Sequence, residues 1–365
     1  MRAVAAVLRE TGGAPRLEDV ELDDPRPDEL LVRIAGVGIC HTDLGAIDGT
    51  PELPLPAVLG HEGAGVVERV GAGVEGIAPG DHVVLSFDSC GTCSRCSRGR
   101  PAYCEEFFAL NASGRRADGT ATMGPVHGSF CGQSSFATHA IAGARNAVPV
   151  HEDLPLELLG PLGCSLQAGA GAVLEVLRPE PGSTIAVFGV GAVGLAAVMA
   201  ARVAGCETIV AVDPDIGRLE LAHELGATHA VDPGDGSTTR AVRSVAPGGV
   251  DFAVEAAGTP EVVTAAVRSL ASPGTCATVG FRGSPNPVTI DQGHLIYGRT
   301  LTGVIEGDVV PGEFIPRLVD LHREGRFPFE RLVETYPFAE IEAALAAARG
   351  GKVIKPVLLM DAASA

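Results

Sequence analysis

Four cysteines fall within fifteen residues, in Cys90-Gly-Thr-Cys93-Ser-Arg-Cys96-Ser-Arg-Gly-Arg-Pro-Ala-Tyr-Cys104. Two overlapping Cys-x-x-Cys steps and one further thiol let a short loop surround a tetrahedral ion. Four thiolates leave no coordination position open, which is the pattern of a structural zinc. Arg95, Arg98 and Arg100 are placed to offset the excess negative charge of such a site. The competing reading is a pair of disulfides or a redox switch, and the expected cytoplasmic setting argues against it.

Three other segments carry candidate ligands: Gly38-Ile39-Cys40-His41-Thr42-Asp43, Gly60-His61-Glu62-Gly63-Ala64-Gly65, and Gly163-Cys164. Two thiolates and an imidazole fill three positions and leave a fourth for water or substrate, the pattern of a catalytic zinc. Each segment alone is a weak signal. A second motif, Gly189-Val190-Gly191-Ala192-Val193-Gly194, follows an apolar run and opens a helical one. In that context Gly189 permits a tight turn, Gly191 lets a pyrophosphate approach the backbone, and Gly194 lets helix and strand pack closely. The helix N-terminus offers unpaired N–H groups to the phosphates. Asp213 ends the next strand, where a carboxylate accepts bonds from a ribose 2′-hydroxyl. Asp215 adds negative charge that repels a 2′-phosphate, so NAD is expected rather than NADP. Arg218 is placed to cover the adenine, the competing reading being that it holds a phosphate.

The elements that must position these groups fall into two halves. Residues 1–150 are dense in short β-like runs (4–8, 30–35, 65–70, 82–85) broken by Pro-Gly and Gly-x-Gly turns, which reads as an irregular, mainly antiparallel β domain. From about residue 165 strands and helices alternate. Strands at 184–188, 208–213, 229–231, 250–255, 275–279 and 300–305 are separated by helices at 191–204, 217–225, 238–245 and 261–270. That order implies a six-stranded parallel sheet wound on both faces. A helix is also expected at 167–177, closed by Pro179 and Pro181. After helices at 312–323 and 339–348, the strand at 353–359 has no crossover helix behind it, so it is expected back on the first domain.

Bulk properties agree with this division. A chain of 365 residues accommodates about two domains. With 45 acidic against 27 basic residues and a net charge of −18, nucleic acid and anionic membranes are poor partners. No apolar run reaches the ~18 residues that span a bilayer. The N-terminal segment reads as a first strand and not as an export signal, so a cytoplasmic protein is expected. Without Trp, the cores must rest on Val, Leu, Ile and Ala.

Together these motifs make the chain resemble, over nearly its whole length, the zinc-dependent medium-chain alcohol dehydrogenases. The matching residues are Cys40-His-Thr-Asp, Gly60-His-Glu-Gly-Ala-Gly-Val-Val, the four-cysteine lobe, the glycine-rich turn and Asp213. The stretch Gly307-Asp-Val-Val-Pro-Gly-Glu-Phe-Ile-Pro and Phe327-Pro-Phe are similar to the aryl (benzyl) alcohol dehydrogenase branch. The resemblance implies a Rossmann domain at 166–306 inserted into a discontinuous GroES-like catalytic domain at 1–165 and 307–365. It implies Cys40, His61 and Cys164 as catalytic zinc ligands, with Glu62 a carboxylate that approaches the metal when water or product leaves. Asp43 would hold the second ring nitrogen of His61, and Thr42 would carry the alcohol proton toward the nicotinamide ribose. Lys355 aligns with a phosphate-binding base.

Two departures from the family pattern stand out: Gly45 replaces a proton-passing histidine, and His41 replaces an arginine that grips the pyrophosphate. Val279, Gly280 and Phe281 are expected on the nicotinamide side. The expected cofactors are NAD and two zinc ions per chain, one catalytic and one structural. The expected reaction interconverts primary aromatic or allylic alcohols and aldehydes, in a homodimer or homotetramer joined through the sixth strand. Glutathione-dependent formaldehyde oxidation and a non-catalytic NAD-binding sensor are the competing readings. Cys131, Cys206 and Cys276 read as small buried apolar groups, and the eight histidines other than His41 and His61 as surface or satisfied core residues.

Overall fold

The computed structural model describes residues 1–360, Asp235 by its backbone alone. It divides into two compact units.

The first unit comprises Met1–Cys164, Val310–Val319 and, of the described residues, 330–360. Its larger sheet runs Val333–Pro337, Lys355–Leu359, Glu29–Gly38, Glu62–Val70, His82–Leu85, Ala147–Val150, and His139–Gly143 pairs beside Glu29–Gly38. All these pairings are antiparallel except that of Val333–Pro337 with Lys355–Leu359. The last strand thus returns to the first unit, with Val357 opposite Gly38. A small antiparallel sheet of Arg16–Glu21, Arg2–Leu8 and Ala57–Val58 stands beside it. Aliphatic residues such as Leu8, Leu30, Leu31 and Ile34, with Phe136, fill the core of this unit.

The second unit is a parallel sheet in the order His229–Val231, Thr208–Val212, Thr184–Phe188, Val250–Glu255, Leu270–Thr278, Arg299–Gly303. Its strand order reverses direction between Thr184–Phe188 and Val250–Glu255, the crevice where open α/β sheets bind dinucleotides. Helix Ala192–Ala204 is apolar for most of its length and buried over its middle eight residues, and Gly205 closes it in the left-handed conformation at φ 83°.

Two expectations change. The helix expected at 167–177 is an α-helix only over Ser165–Gly171, and Ala172–Leu177 widens into a π turn. Pro179 disfavours the α conformation at the residue before it. Arg178 ends the helix in the left-handed conformation at φ 48° and donates its N–H back to Val173 O at 2.8 Å. The boundary also shifts. Gly307, Asp308 and Val309, together with Asp320–Phe329, group with the α/β unit. Gly307 lies so close to Gln167 that a Cβ would overlap its carbonyl oxygen, and Arg326 donates to Val203 O at 3.3 Å.

At Gly194 a Cβ would overlap the carbonyl oxygen of Gly189. Because backbone cannot yield as a flexible side chain can, Gly194→Ala should cost roughly 1–3 kcal/mol of stability and loosen the turn that meets the dinucleotide. Thermal unfolding and NAD titration of the variant check this. An unchanged melting temperature with unchanged NAD affinity would refute it.

Candidate functional site

Cys40, His61, Glu62 and Cys164 come together, each offering a ligand atom within 4.8 Å of the others. Cys40 lies in extended backbone just ahead of helix His41–Ile47. His61 and Glu62 enter strand Glu62–Val70 from Gly60, whose φ of 88° and contact with Phe136 exclude a side chain. Cys164 follows the turn Gly160–Gly163. A Cβ at Gly160 would overlap Glu62 O, and one at Gly163 would overlap Leu85 O, so only glycine lets this turn seat Cys164 against the sheet.

One carboxylate joins the first two segments. Asp43 is fully buried. Its Oδ2 accepts the Cys40 N–H at 2.9 Å, and its Oδ1 accepts the Gly60 N–H at 3.1 Å and the His61 Nδ1–H at 2.9 Å. With Nδ1 protonated, the His61 lone pair sits on Nε2, which is buried with no hydrogen-bond partner. Burial alone would lower the basicity of this ring, but Asp43 outweighs it and holds the His61 pKa well above the usual range. A more basic ring is a stronger metal donor. The hydrogen bond from Cys164 and the charge of Lys355 hold the Cys40 thiol well below its usual pKa despite burial. Two soft thiols, an orphaned imidazole nitrogen and a carboxylate are a donor set suited to zinc. The residues therefore fit the ion that the family resemblance implies.

Lys355 differs from expectation. It is only 2% exposed, and its Nζ donates to Ile39 O at 3.0 Å and to the two Glu62 oxygens at 3.0 and 2.9 Å. Its charge is committed to Glu62 and not presented to a phosphate. Gly38 makes this possible, since a Cβ there would overlap Glu62 Oε2. Burial raises the Glu62 pKa and the Lys355 charge opposes the rise. Thr42 is exposed with Oγ1 3.9 Å from Cys40 Sγ, and His41 is exposed at the start of the same helix.

In the cysteine lobe all four thiols are free and also lie within 4.8 Å of one another. Backbone N–H groups of Cys90, Cys93, Cys96 and Glu106 donate to sulfurs of the cluster at 3.2–3.5 Å. Backbone bonds from Thr92 and Cys93 pull Cys90 down to about 6, whereas burial pushes Cys104 up to about 12. Arg100 stacks over Tyr103, 4.8 Å from the ring centroid.

In the second unit, Gly189 takes φ 85°, and Gly191 caps helix Ala192–Ala204 with open space at its Cβ position. Val190 donates its N–H to Asp213 Oδ2 at 2.9 Å, and the other Asp213 oxygen accepts from Asp215 N at 2.9 Å. A carboxylate has about four acceptor sites, so Asp213 braces the turn and keeps capacity for ribose hydroxyls. Asp215 is the N-cap of helix Ile216–Leu225, accepting from Arg218 N at 3.0 Å, and Arg218 Nη1 lies 3.8 Å from Asp213. Ala192 and Val193 form the first helical turn.

Sequence reasoning missed Glu255, which ends a central strand fully buried. It accepts from Ala257 N, Gly258 N and Thr278 Oγ1 at 2.8, 2.6 and 2.8 Å. Its own carbonyl receives the N–H groups of Val279 and Gly280 at 2.8 and 3.1 Å. The available signal was an acidic residue at the sheet's carboxyl edge, three residues ahead of Gly258. Phe281 beside it is 71% exposed. Of the remaining cysteines only Cys276 is buried; Cys131 and Cys206 are half-buried, contrary to expectation.

A doubly wound nucleotide unit, a β unit with an open Cys/His centre and a four-thiol lobe define a zinc- and nucleotide-dependent dehydrogenase. Residues 26–152 match the alcohol dehydrogenase GroES-like domain, and residues 192–323 the zinc-binding dehydrogenase family. The chain is 47% identical to geraniol dehydrogenase of Castellaniella defragrans, covering 98% of this chain and 97% of that protein. A solved structure of benzyl alcohol dehydrogenase from Acinetobacter calcoaceticus is 43% identical and superposes with a TM-score of 0.97 over 99% of this chain and 100% of that one. An alcohol dehydrogenase zinc-binding domain protein from Burkholderia ambifaria is 47% identical, with a TM-score of 0.96 over 99% of both chains. The chain belongs to the zinc-dependent medium-chain alcohol dehydrogenase family.

Replacing Asp43 by Ala strands two backbone N–H groups and frees the His61 ring. Metal affinity at the open site should fall about 10- to 100-fold, measured by competition with a zinc chelator. Undiminished affinity would refute the role of Asp43. In the lobe, binding a cation requires thiolates, and Cys104 holds its proton up to about 12. Metal uptake near neutrality therefore releases protons, and affinity rises with pH. A chelator should strip this lobe faster at pH 6 than at pH 8; equal rates would contradict the protonation pattern.

Proposed function

We propose that the chain is an NAD-dependent alcohol dehydrogenase acting on primary aromatic or allylic alcohols and their aldehydes. Its zinc would be held by Cys40, His61 and Cys164, with a second, structural zinc on Cys90, Cys93, Cys96 and Cys104. The observation that carries this reading is the orphaned His61 Nε2, buried among two thiols and a carboxylate. When bound, zinc supplies Lewis acidity to an alcohol oxygen and NAD supplies the hydride acceptor.

The side chains of this chain bind, orient and move the proton. Asp43 orients the imidazole and fixes its tautomer. The Thr42 hydroxyl takes the proton from the alcohol oxygen, and with Gly45 in the next helical turn no imidazole follows, so the proton leaves through water. Glu62, held back by Lys355, is a carboxylate in reserve beside the open position. The turn at Gly189, Val190, Gly191, Ala192, Val193 and Gly194 receives the pyrophosphate, with His41 as a second, pH-dependent contact. Asp213 and Asp215 disfavour a 2′-phosphate, and Val279, Gly280 and Phe281 flank the nicotinamide.

The substrate class rests on chemistry as well as on the relatives. Geraniol and benzyl alcohol both place a π system next to the carbinol carbon, and that π system stabilises the positive charge that develops as hydride departs. A homodimer or homotetramer formed along the Arg299–Gly303 edge strand accords with the exposed Ile296 and Tyr297 just before it. The acidic net charge fits a cytoplasmic protein with no nucleic-acid or membrane partner, and no helix of the described residues is long and apolar enough to cross a membrane.

The test combines a metal count per chain with initial rates on benzylic, allylic and linear primary alcohols, using NAD and NADP. Two zinc ions, higher kcat/KM for the unsaturated alcohols, and a preference for NAD of at least about tenfold (~1.4 kcal/mol) are expected. No turnover in a zinc-loaded sample would reject the enzyme, and a preference for NADP would reject the cofactor assignment.

A further inference from the structure

Gln133 is fully buried and none of the chemistry above uses it. Its Oε1 accepts the Gly63 N–H at 3.0 Å and the Ser135 hydroxyl. Its Nε2 donates to the His61 carbonyl at 2.9 Å and to the Ser86 carbonyl at 3.3 Å. A side-chain amide has two donor hydrogens and two acceptor lone pairs, so Gln133 is saturated and cannot be turned end for end. Its two ends grip the backbone on either side of Glu62. Ser86 carries the connection onward, because its Oγ donates at 2.6 Å to the carbonyl of Gly163, the residue before Cys164.

The local backbone is strained to deliver this amide. Cys131, Gly132 and Ser134 take φ values of 49°, 68° and 51°, with Gln133 between them. Left-handed backbone at non-glycine residues persists only where the surroundings over-determine it, and it clusters where a side chain must be aimed. Room on the far side is equally tight, since a Cβ at Gly63 would overlap the Ser135 hydroxyl.

We propose that Gln133 is a positioning residue for the open metal centre, setting the spacing between His61 and Cys164 through the backbone of the first and, via Ser86, the turn before the second. The proposal rests on the reading of those residues as catalytic zinc ligands. Gln133 touches neither metal nor substrate. It acts by keeping two turns from different parts of the chain in one register, so that the imidazole and the thiolate reach the same ion.

The test uses the full-length chain with cobalt(II) in place of zinc and the variants Gln133→Met, Ser86→Ala and Ser86→Thr. Three quantities are read: the cobalt d–d absorption, the rate at which a chelator removes each metal, and kcat against KM for NAD. Gln133→Met and Ser86→Ala should shift the d–d band, speed metal loss from the open site about 10- to 100-fold and lower kcat by a similar factor. KM for NAD and the metal of the four-cysteine lobe should change little. Ser86→Thr keeps the hydroxyl and should restore the parental band. A lower melting temperature with an unchanged band and unchanged metal release would overturn the proposal, leaving Gln133 a residue of stability alone. Should Gln133→Met fail to fold, the contrast between Ser86→Ala and Ser86→Thr decides by the same readouts. A parent chain that takes up cobalt only in the four-cysteine lobe would reject the catalytic-zinc reading itself, a result distinct from variants that match a fully loaded parent.

Discussion

The site depends on one buried carboxylate. Asp43 accepts three hydrogen bonds from two segments whose flanking strands also pair, Gly38 opposite Glu62: Cys40 N–H from its own segment, and Gly60 N–H and the His61 ring from the other. A carboxylate removed from water without such donors would cost several kcal/mol. The interaction is therefore close to all-or-none. Sheet register brings the two segments side by side, and Asp43 fixes the last step, since its charge is left stranded unless both turns close on it. The same bonds select the ring tautomer that leaves Nε2 free for a metal.

Backbone proximity completes what the carboxylate begins. Cys164 comes from a segment about a hundred residues further along the chain. It is placed because Gly160 and Gly163 let their turn lie directly on the carbonyls of Glu62 and Leu85. Any larger residue would hold the turn away from the sheet and carry the thiol out of reach. Asp43 thus works by electrostatics and the glycines by exclusion of volume, and both act on the same separation.

These two modes explain what the sequence revealed. Strand–helix alternation from residue 184 onward implied the parallel order, because each βαβ crossover follows from hydrophobic periodicity read locally. The ligand segments were legible because thiols and imidazoles at metal spacing are rare, and the described fold brings all four candidates within 4.8 Å. Gln133, Glu255 and the true partner of Lys355 were not legible. Each acts on backbone or on a residue distant in sequence, with no periodicity and no spacing rule, so only the folded chain shows what the side chain reaches. The helix expected at 167–177 is present and ends at Leu177 ahead of Pro179, but its periodicity gave no sign that Ala172–Leu177 widens into a π turn.

The partner of Lys355 bears on charge more than on cofactor binding. Two thiols with Glu62 and Asp43 gather four groups that can carry negative charge, of which Cys164, Glu62 and Asp43 are nearly inaccessible and Cys40 is half-buried. At low dielectric such a cluster repels itself strongly. Lys355, buried against Glu62 at 2.9 Å, neutralises one of them without occupying the position a ligand would need. A divalent cation held by Cys40, His61 and Cys164 would offset two more. A cation placed to bind a phosphate could not do this from the surface, and a third thiolate in place of the Glu62–Lys355 pair would close the open position. The pair would therefore leave a coordination position open beside a bound ion, and Gly38, by having no side chain, is what allows it to form.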